Sequence, residues 1–135
     1  MTILRRRSAA RRGSTLVESA FVLASFAILM AGIMELGFTG LVSNSVSFAA
    51  QRAARYASVR GSASGHPAAA ADIQGIAQGY AVPLLPPVVT VTWKPNNNPG
   101  STVEVTVSYS FTPTLLPLSA GALTLKSTAR QYIVQ

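Results

Sequence analysis

The residues able to do chemistry in this chain are few. The 135-residue sequence holds one histidine, His66, no cysteine, and four acids, Glu18, Glu35, Asp72 and Glu104. Without cysteine there is no thiol nucleophile, no Cys-ligated zinc and no disulfide. A metal centre needs several converging ligands, and general acid–base work needs a positioned pair. The four acids are spread widely, and His66 stands in a Gly/Ser/Ala-rich stretch. His66, Asp72 and a serine can be drawn as a triad, but nothing around them marks a nucleophile, and a solvated loop histidine is the simpler reading. No phosphate-binding glycine loop is present. The inventory predicts a protein that is not an enzyme and that uses no cofactor and no metal.

The chemistry that the spacing does suggest is done to the chain rather than by it. Residues 1–12 carry five arginines, Arg5, Arg6, Arg7, Arg11 and Arg12, and no acid. Then come Gly13, Ser14 and, four residues on, Glu18. From Ser19 to Gln51 only Glu35 is charged. A basic leader, a glycine and an apolar helix with an early glutamate form the layout of a prepilin-type signal. A narrow protease cleft at the cytoplasmic membrane face favours a residue without a side chain, so Gly13 and Ser14 are the expected processing site. Cleavage there would leave the apolar segment on the mature protein and make Glu18 its fifth residue. A carboxylate inside a membrane helix costs about 2.5–3.5 kcal/mol near the centre and less near an end. Glu18 is either a side chain snorkelling to the headgroups or, the preferred reading, an assembly residue that meets a neighbour's free amino terminus.

Net charge is +7. A basic balance can signal nucleic-acid binding. Here the arginines abut a membrane-length apolar run, and without the leader only six Lys/Arg face the four acids. That pattern predicts a membrane protein with no nucleic-acid partner, the N-terminus in the cytoplasm and the C-terminal part outside. An ordinary secretory signal is the competing layout, with Phe48-Ala49-Ala50 as its small-residue site. The apolar run is longer than the usual 7–15 residues of such a signal, so an uncleaved signal anchor is the stronger alternative.

The elements follow from the periods. Residues 14–60 read as one long helix, apolar enough to cross a bilayer over about 16–42. At 1.5 Å per residue it would be about 70 Å long and project well beyond a ~30 Å hydrocarbon core. Val42, Val46, Ala49, Ala53 and Ala57 recur at spacings of three and four and predict one apolar stripe on the projecting half. Ser45, Ser47, Gln51, Arg52, Arg55 and Arg60 fall between them. Gly61, just past the last periodic residue, has the position of a helix terminator. Residues 61–67 are a linker by composition. A short helix is expected over about Ala68 to Ala81, with Ile73, Ile76, Ala77 and Tyr80 on one face.

The period then changes to alternation. Val89, Val91 and Trp93 face one way, Thr90 and Thr92 the other. Val103, Val105, Val107, Tyr109 and Phe111 alternate with Thr102, Glu104, Thr106, Ser108 and Ser110, as half-buried strands do. The turn composition of Lys94 to Ser101 predicts an antiparallel hairpin. A third strand, about Ala122 to Val134, follows the connection Pro113 to Gly121. The predicted class is α+β: a long N-terminal transmembrane helix that continues into a small exported domain (61–135), with a short helix and a three-stranded antiparallel sheet packed on the helix.

On these residues the chain resembles a known family. Arg12-Gly-Ser-Thr-Leu-Val-Glu18, then Gly32-Ile-Met-Glu35-Leu-Gly37, then Ala49-Ala-Gln-Arg-Ala-Ala-Arg-Tyr56-Ala look like the TadE/TadG-like pseudopilins of the tight-adherence (Flp) pilus system. The run Val103 to Phe111, the Pro113 to Pro117 segment and the last strand are similar to that family as well. The resemblance implies processing by a prepilin peptidase between Gly13 and Ser14, with other pilins or pseudopilins and the pilus assembly machinery as partners. It implies a single-pass protein of the inner (cytoplasmic) membrane, with a periplasmic or extracellular domain and a role in pilus assembly and surface adhesion. Ser-Thr-Leu-Val-Glu lacks the aromatic neighbours of major pilins, and the C-terminal domain exceeds a bare Flp subunit. Both point to an accessory pseudopilin. The alternative is an uncleaved bitopic membrane protein whose exported domain binds a protein partner.

Three secondary expectations remain. Ala20/Ala24 and Ala27/Ala31, four apart, permit close helix contacts. Glu35 lies near the outer interface, where charge is inexpensive, and reads as a headgroup-level side chain. Arg52, Arg55 and Tyr56 read as a solvated face with one aromatic edge contact.

Overall fold

The helix that the apolar run predicts is a single element. In the computed structural model, which describes residues 6–82, 86–112 and 121–135 with side chains from Gly13 onward, α1 spans Arg6–Ser58 without a break. No proline interrupts it, and its 53 residues correspond to about 80 Å. It begins earlier than the expected Ser14, because the leader backbone from Arg6 continues the same helix. It ends at Ser58, two residues before the expected Arg60. The side chains of the leader arginines lie outside the described residues.

The remaining elements are α2 (Ala70–Tyr80), β1 (Val88–Lys94), β2 (Thr102–Phe111) and β3 (Leu123–Tyr132). The strands form one antiparallel sheet in the order β1-β2-β3. Thr106 sits at its centre, opposite Thr90 on one side and Thr128 on the other. The class is α+β, as the change of period predicts. Residues 113–120 of the connection into β3 lie outside the described residues.

The core is the seam between α1 and the sheet. The predicted stripe of Val42, Val46, Ala49, Ala53 and Ala57 is buried, and Ala50 and Ala54 widen it. Across from it, Val103, Val105 and Val107 of the central strand are fully covered and Tyr109 nearly so. The alternation of β2 is the reason. Its β-branched residues fill one pleat face, and the polar residues between them take the other. Helix α2 closes the side of the seam with buried Ile73 and Ala77, while Tyr80 at its end stays half exposed. The Asp72 carboxylate accepts the Ala69 N–H at 3.0 Å, which satisfies one of the free donors at the start of α2. Ser45 Oγ donates to the Tyr80 carbonyl at 3.2 Å, and Gln74 Nε2 to that of Val89 at 3.3 Å, so α2 is tied to both α1 and β1.

Strand β2 runs antiparallel to α1. At one end Phe38 meets Phe111 edge to face, with ring centroids 5.7 Å apart. At the other, the Val134 N–H donates to the Ser58 carbonyl at 2.9 Å, so the C-terminal tail satisfies an open acceptor of the last helical turn. Ser62 N–H donates to the Asn97 carbonyl at 2.8 Å, and Ile133 N–H to that of Ser101 at 2.8 Å. Gly100, at φ +86°, supplies the left-handed residue of the hairpin loop, which a side chain would resist.

Gly61 departs from the terminator role. Among the described residues only Gly65 and Gly100 have positive φ, so Gly61 is not a left-handed cap. It is a point of close approach instead. A Cβ there would run into the Gln135 carbonyl oxygen and Ile133 Cγ2, with the Asn97 carbonyl oxygen at 3.2 Å. Gly61→Ala is therefore expected to destabilise the C-terminal domain by about 1–3 kcal/mol, the usual cost of overpacking. Chemical denaturation of the full chain in detergent measures it, and unchanged stability would show that the tail does not dock there.

A candidate processing and assembly segment

The first described side chains are those of the segment that the sequence marks for processing. Gly13 and Ser14 are exposed and lie in the interior of α1. A Cβ on Gly13 would meet nothing within 4 Å, and the residue does not have positive φ. Glu18 is exposed one turn further on, and Leu16, Val17, Phe21 and Val22 around it are exposed as well. Ser19 Oγ donates to the Thr15 carbonyl at 2.8 Å. That back-bond satisfies the hydroxyl within the helix, as an apolar medium requires.

From Gly13 the helix is long and apolar enough to cross a membrane. Its most apolar stretch has a mean hydropathy of 2.1 and none of it is buried in the chain. The core helix of a water-soluble domain would be covered by its own protein. Ala20, Ala24 and Ala27 are exposed and Ala31 is partly covered, so the chain itself makes no use of most of these small residues.

Glu35 differs from expectation. Only 9% of it is exposed, so protein rather than headgroups covers it. Helical phase explains this and was readable. Glu35 precedes Val42 by seven residues, two turns, and so shares the core stripe. Thr39 Oγ1 donates to its backbone carbonyl at 2.9 Å.

The other acid with a specific geometry is Glu104, on the outer face of the sheet. Lys94 Nζ lies 2.9 Å and Arg130 Nε 3.1 Å from its Oε2. The three come from three strands, and Arg130 stands directly opposite Glu104. The Lys94 hydrogen bond is the main cause that holds the Glu104 carboxyl below its ordinary value of 4.5; partial desolvation pulls the other way, and Arg130 adds to the lowering. Alternation put Glu104 on the polar face, but its pairing needed the register. His66 is exposed, and its Nδ1 lies against the Gly65 carbonyl, while Asp72 serves as the helix cap. Among the described residues no three of His, Asp and Glu come together as metal ligands would.

The arginine face is more structured than a solvated surface. Arg52 lies over the rings of Phe48 and Tyr80, at 5.0 and 5.9 Å from their centroids. Arg60 lies 4.5 Å from the centroid of Tyr56 and donates from Nη1 to its hydroxyl at 2.7 Å.

Fold and segment together define a chain with one N-terminal helix of membrane-crossing length and a small α+β domain built on its far half. The sequence model of the family described as TadE-like protein matches residues 13–55, from the exposed glycine to Arg55 on the projecting half. The chain thus carries a TadE-like segment, the family that its residues resemble. The match covers α1 and not the sheet. No curated protein and no solved structure matches the chain.

The Glu104 cluster gives a pH prediction. Its folded-state value is depressed, so its contribution to stability is complete above the ordinary carboxylate value of ~4.3 and is lost as pH falls through the folded value. Glu104→Gln should lower Tm at pH 7, and the gap from wild type should close in acid. A gap that persists at low pH would show that the ion pairs are not its source.

Proposed function

We propose that the chain is a membrane-anchored pseudopilin that takes part in assembling a tight-adherence (Flp) type pilus, after hydrolysis of the Gly13–Ser14 peptide bond by a prepilin peptidase. The observation that carries this reading is Gly13. A glycine inside a helix costs about 1 kcal/mol relative to alanine, and here neither packing nor backbone conformation asks for one. Gly37 and Gly40 of the same helix are equally free of such reasons; what sets Gly13 apart is its place between the arginine leader and the apolar run, where a protease cleft that admits no side chain would require it. The TadE-like match, which opens at residue 13, supports the same reading.

One observation favours the alternative of an uncleaved bitopic anchor. The helix is continuous from Arg6 through Gly13, whereas a protease takes its substrate locally extended. Gly13 also reduces that difficulty, because it lowers the cost of opening its own turn.

The leader arginines hold the N-terminus in the cytoplasm and the sheet is carried outside. Glu18 acts after cleavage. In a lone subunit it reaches the headgroups; among packed helices it pairs with the Ser14 amino group of a neighbour. The exposed Ala20, Ala24, Ala27 and the partly covered Ala31 give those helices room to approach.

Gly13→Ile should leave the uncut precursor in the membrane, where the wild-type chain starts at Ser14 by terminal sequencing. A wild-type chain that starts at Met1 or near Gln51 would exclude the pseudopilin reading. Glu18→Ala should be cleaved and inserted normally yet lower surface piliation, because the neighbour's charge is left unpaired. Unchanged piliation would reduce Glu18 to a snorkelling side chain.

A further inference from the structure

The outer side of the projecting half of α1 carries an exposed cluster that joins arginines to aromatic rings. Phe48, Arg52, Arg55 and Val59 succeed one another at spacings of three and four, and so form one stripe. It lies opposite the buried seam, and all four are exposed. Shallow grooves flank the stripe. One runs towards Gln131 of β3, the other towards Ile76 and Tyr80 of α2, and Arg52 and Arg55 line both.

Neither arginine has an ion pair among the described residues, and the sequence holds few acids to supply one. Of its four acids, Glu18 and Glu35 lie in the N-terminal part of α1, Asp72 caps α2, and Glu104 is held by Lys94 and Arg130. Arg52 is also fixed in advance. Phe48 and Tyr80 meet edge to face with centroids 5.5 Å apart, and its guanidinium lies over both rings. An arginine already ordered loses less entropy on binding. Tyrosine and arginine beside a partly open apolar groove are the residue types that dominate protein interfaces.

We infer that this arginine–aromatic stripe is a docking surface for an acidic segment of a different protein, one that sets carboxylates against Arg52 and Arg55 and an apolar side chain into the groove between Val59, Ile76 and Tyr80. Two alternatives fail on physical grounds. Among the described residues, the exported domain of a second copy brings only Glu104, held by Lys94 and Arg130, and a lone Asp72 that caps α2, and two such stripes repel each other. The headgroups of the anchoring bilayer are too far away. A crossing of about 20 residues from Leu16 ends near Leu36, with headgroups for about 6 Å more, so Arg52, about 24 Å along the helix, stands roughly 18 Å beyond them, some two Debye lengths of ~8 Å at physiological salt. The inference needs only that the domain is exported and does not require cleavage at Gly13.

The test is photo-crosslinking of the full chain in its own cells, with p-benzoylphenylalanine in place of Val59. The expected result is one adduct with a different protein, joined at a segment that carries Asp or Glu. Its yield should fall at least tenfold in Arg55→Glu, a residue for which no ring contact is seen among the described residues, and in Arg52→Glu/Arg55→Glu. Arg52→Lys/Arg55→Lys should keep most of it. Changing the partner's acids to lysine should restore the adduct to the double-glutamate chain. An adduct with a second copy, an adduct with lipid, one that is indifferent to charge reversal, or none at all would each overturn the proposal. Terminal sequencing of the same sample reports cleavage separately, so failure here and failure of the pseudopilin reading are distinguishable.

Discussion

The structure depends on how closely a β-sheet can approach the projecting half of α1. Ala49, Ala50, Ala53, Ala54 and Ala57 make that half a seam of small side chains. The valines of β2 come down onto it, with Ile73 and Ala77 of α2 beside them. A three-stranded sheet is not stable with a bare apolar face, and a domain of this size has little other core to offer. The same helix must therefore be both membrane anchor and core. A larger residue in the seam, at Ala53 for example, would hold the sheet away and expose the valines on both sides of the contact.

That dual use fixes the mechanical character of the molecule. Whatever moves or tilts the apolar half of α1 moves the C-terminal domain, because no proline interrupts α1 and the core begins at Val42. The weak point is the stretch just before the core, where Gly37 and Gly40 lie on the exposed side and each lowers local helix stability. Phe38 against Phe111 and the covered Glu35 hold the other side of the same turns. The C-terminal tail closes the far end, through Val134 on Ser58 and Ile133 on Ser101. The domain is thus fastened to the helix at both ends of the seam. Helix and domain would therefore move as one body.

Much of this was legible because two periods are clean. The change from spacings of three and four to strict alternation near Val88 marks where helix gives way to sheet. The same patterns name the buried faces of α1 and β2 residue by residue. What escaped required three-dimensional register or phase. Glu35 reads as an interface charge when only its distance along the helix is considered, and joins the core stripe once its angle is counted. Gly61 has the position of a helix cap, but the requirement comes from Ile133 and Gln135, more than 70 residues away in sequence. The Lys94–Glu104–Arg130 cluster depends on strand register, which alternation alone leaves open. The ring contacts of Arg52 depend on where α2 places Tyr80. Gly13, Ser14 and Glu18 are singled out by residue type and order alone. The structure adds that Gly13 has no packing or conformational reason to be glycine.

Hydrogen exchange of the full chain in lipid nanodiscs tests the central claim most directly, that anchor and core are one element. Amides of residues 42–57 should be protected to the same degree as those of β2, and both should lose protection together as denaturant is added, as parts of one cooperative unit do. Fast exchange of the α1 amides around Gly37 to Ala50 while β2 stays protected would show a sheet that folds without the helix, and would contradict the account.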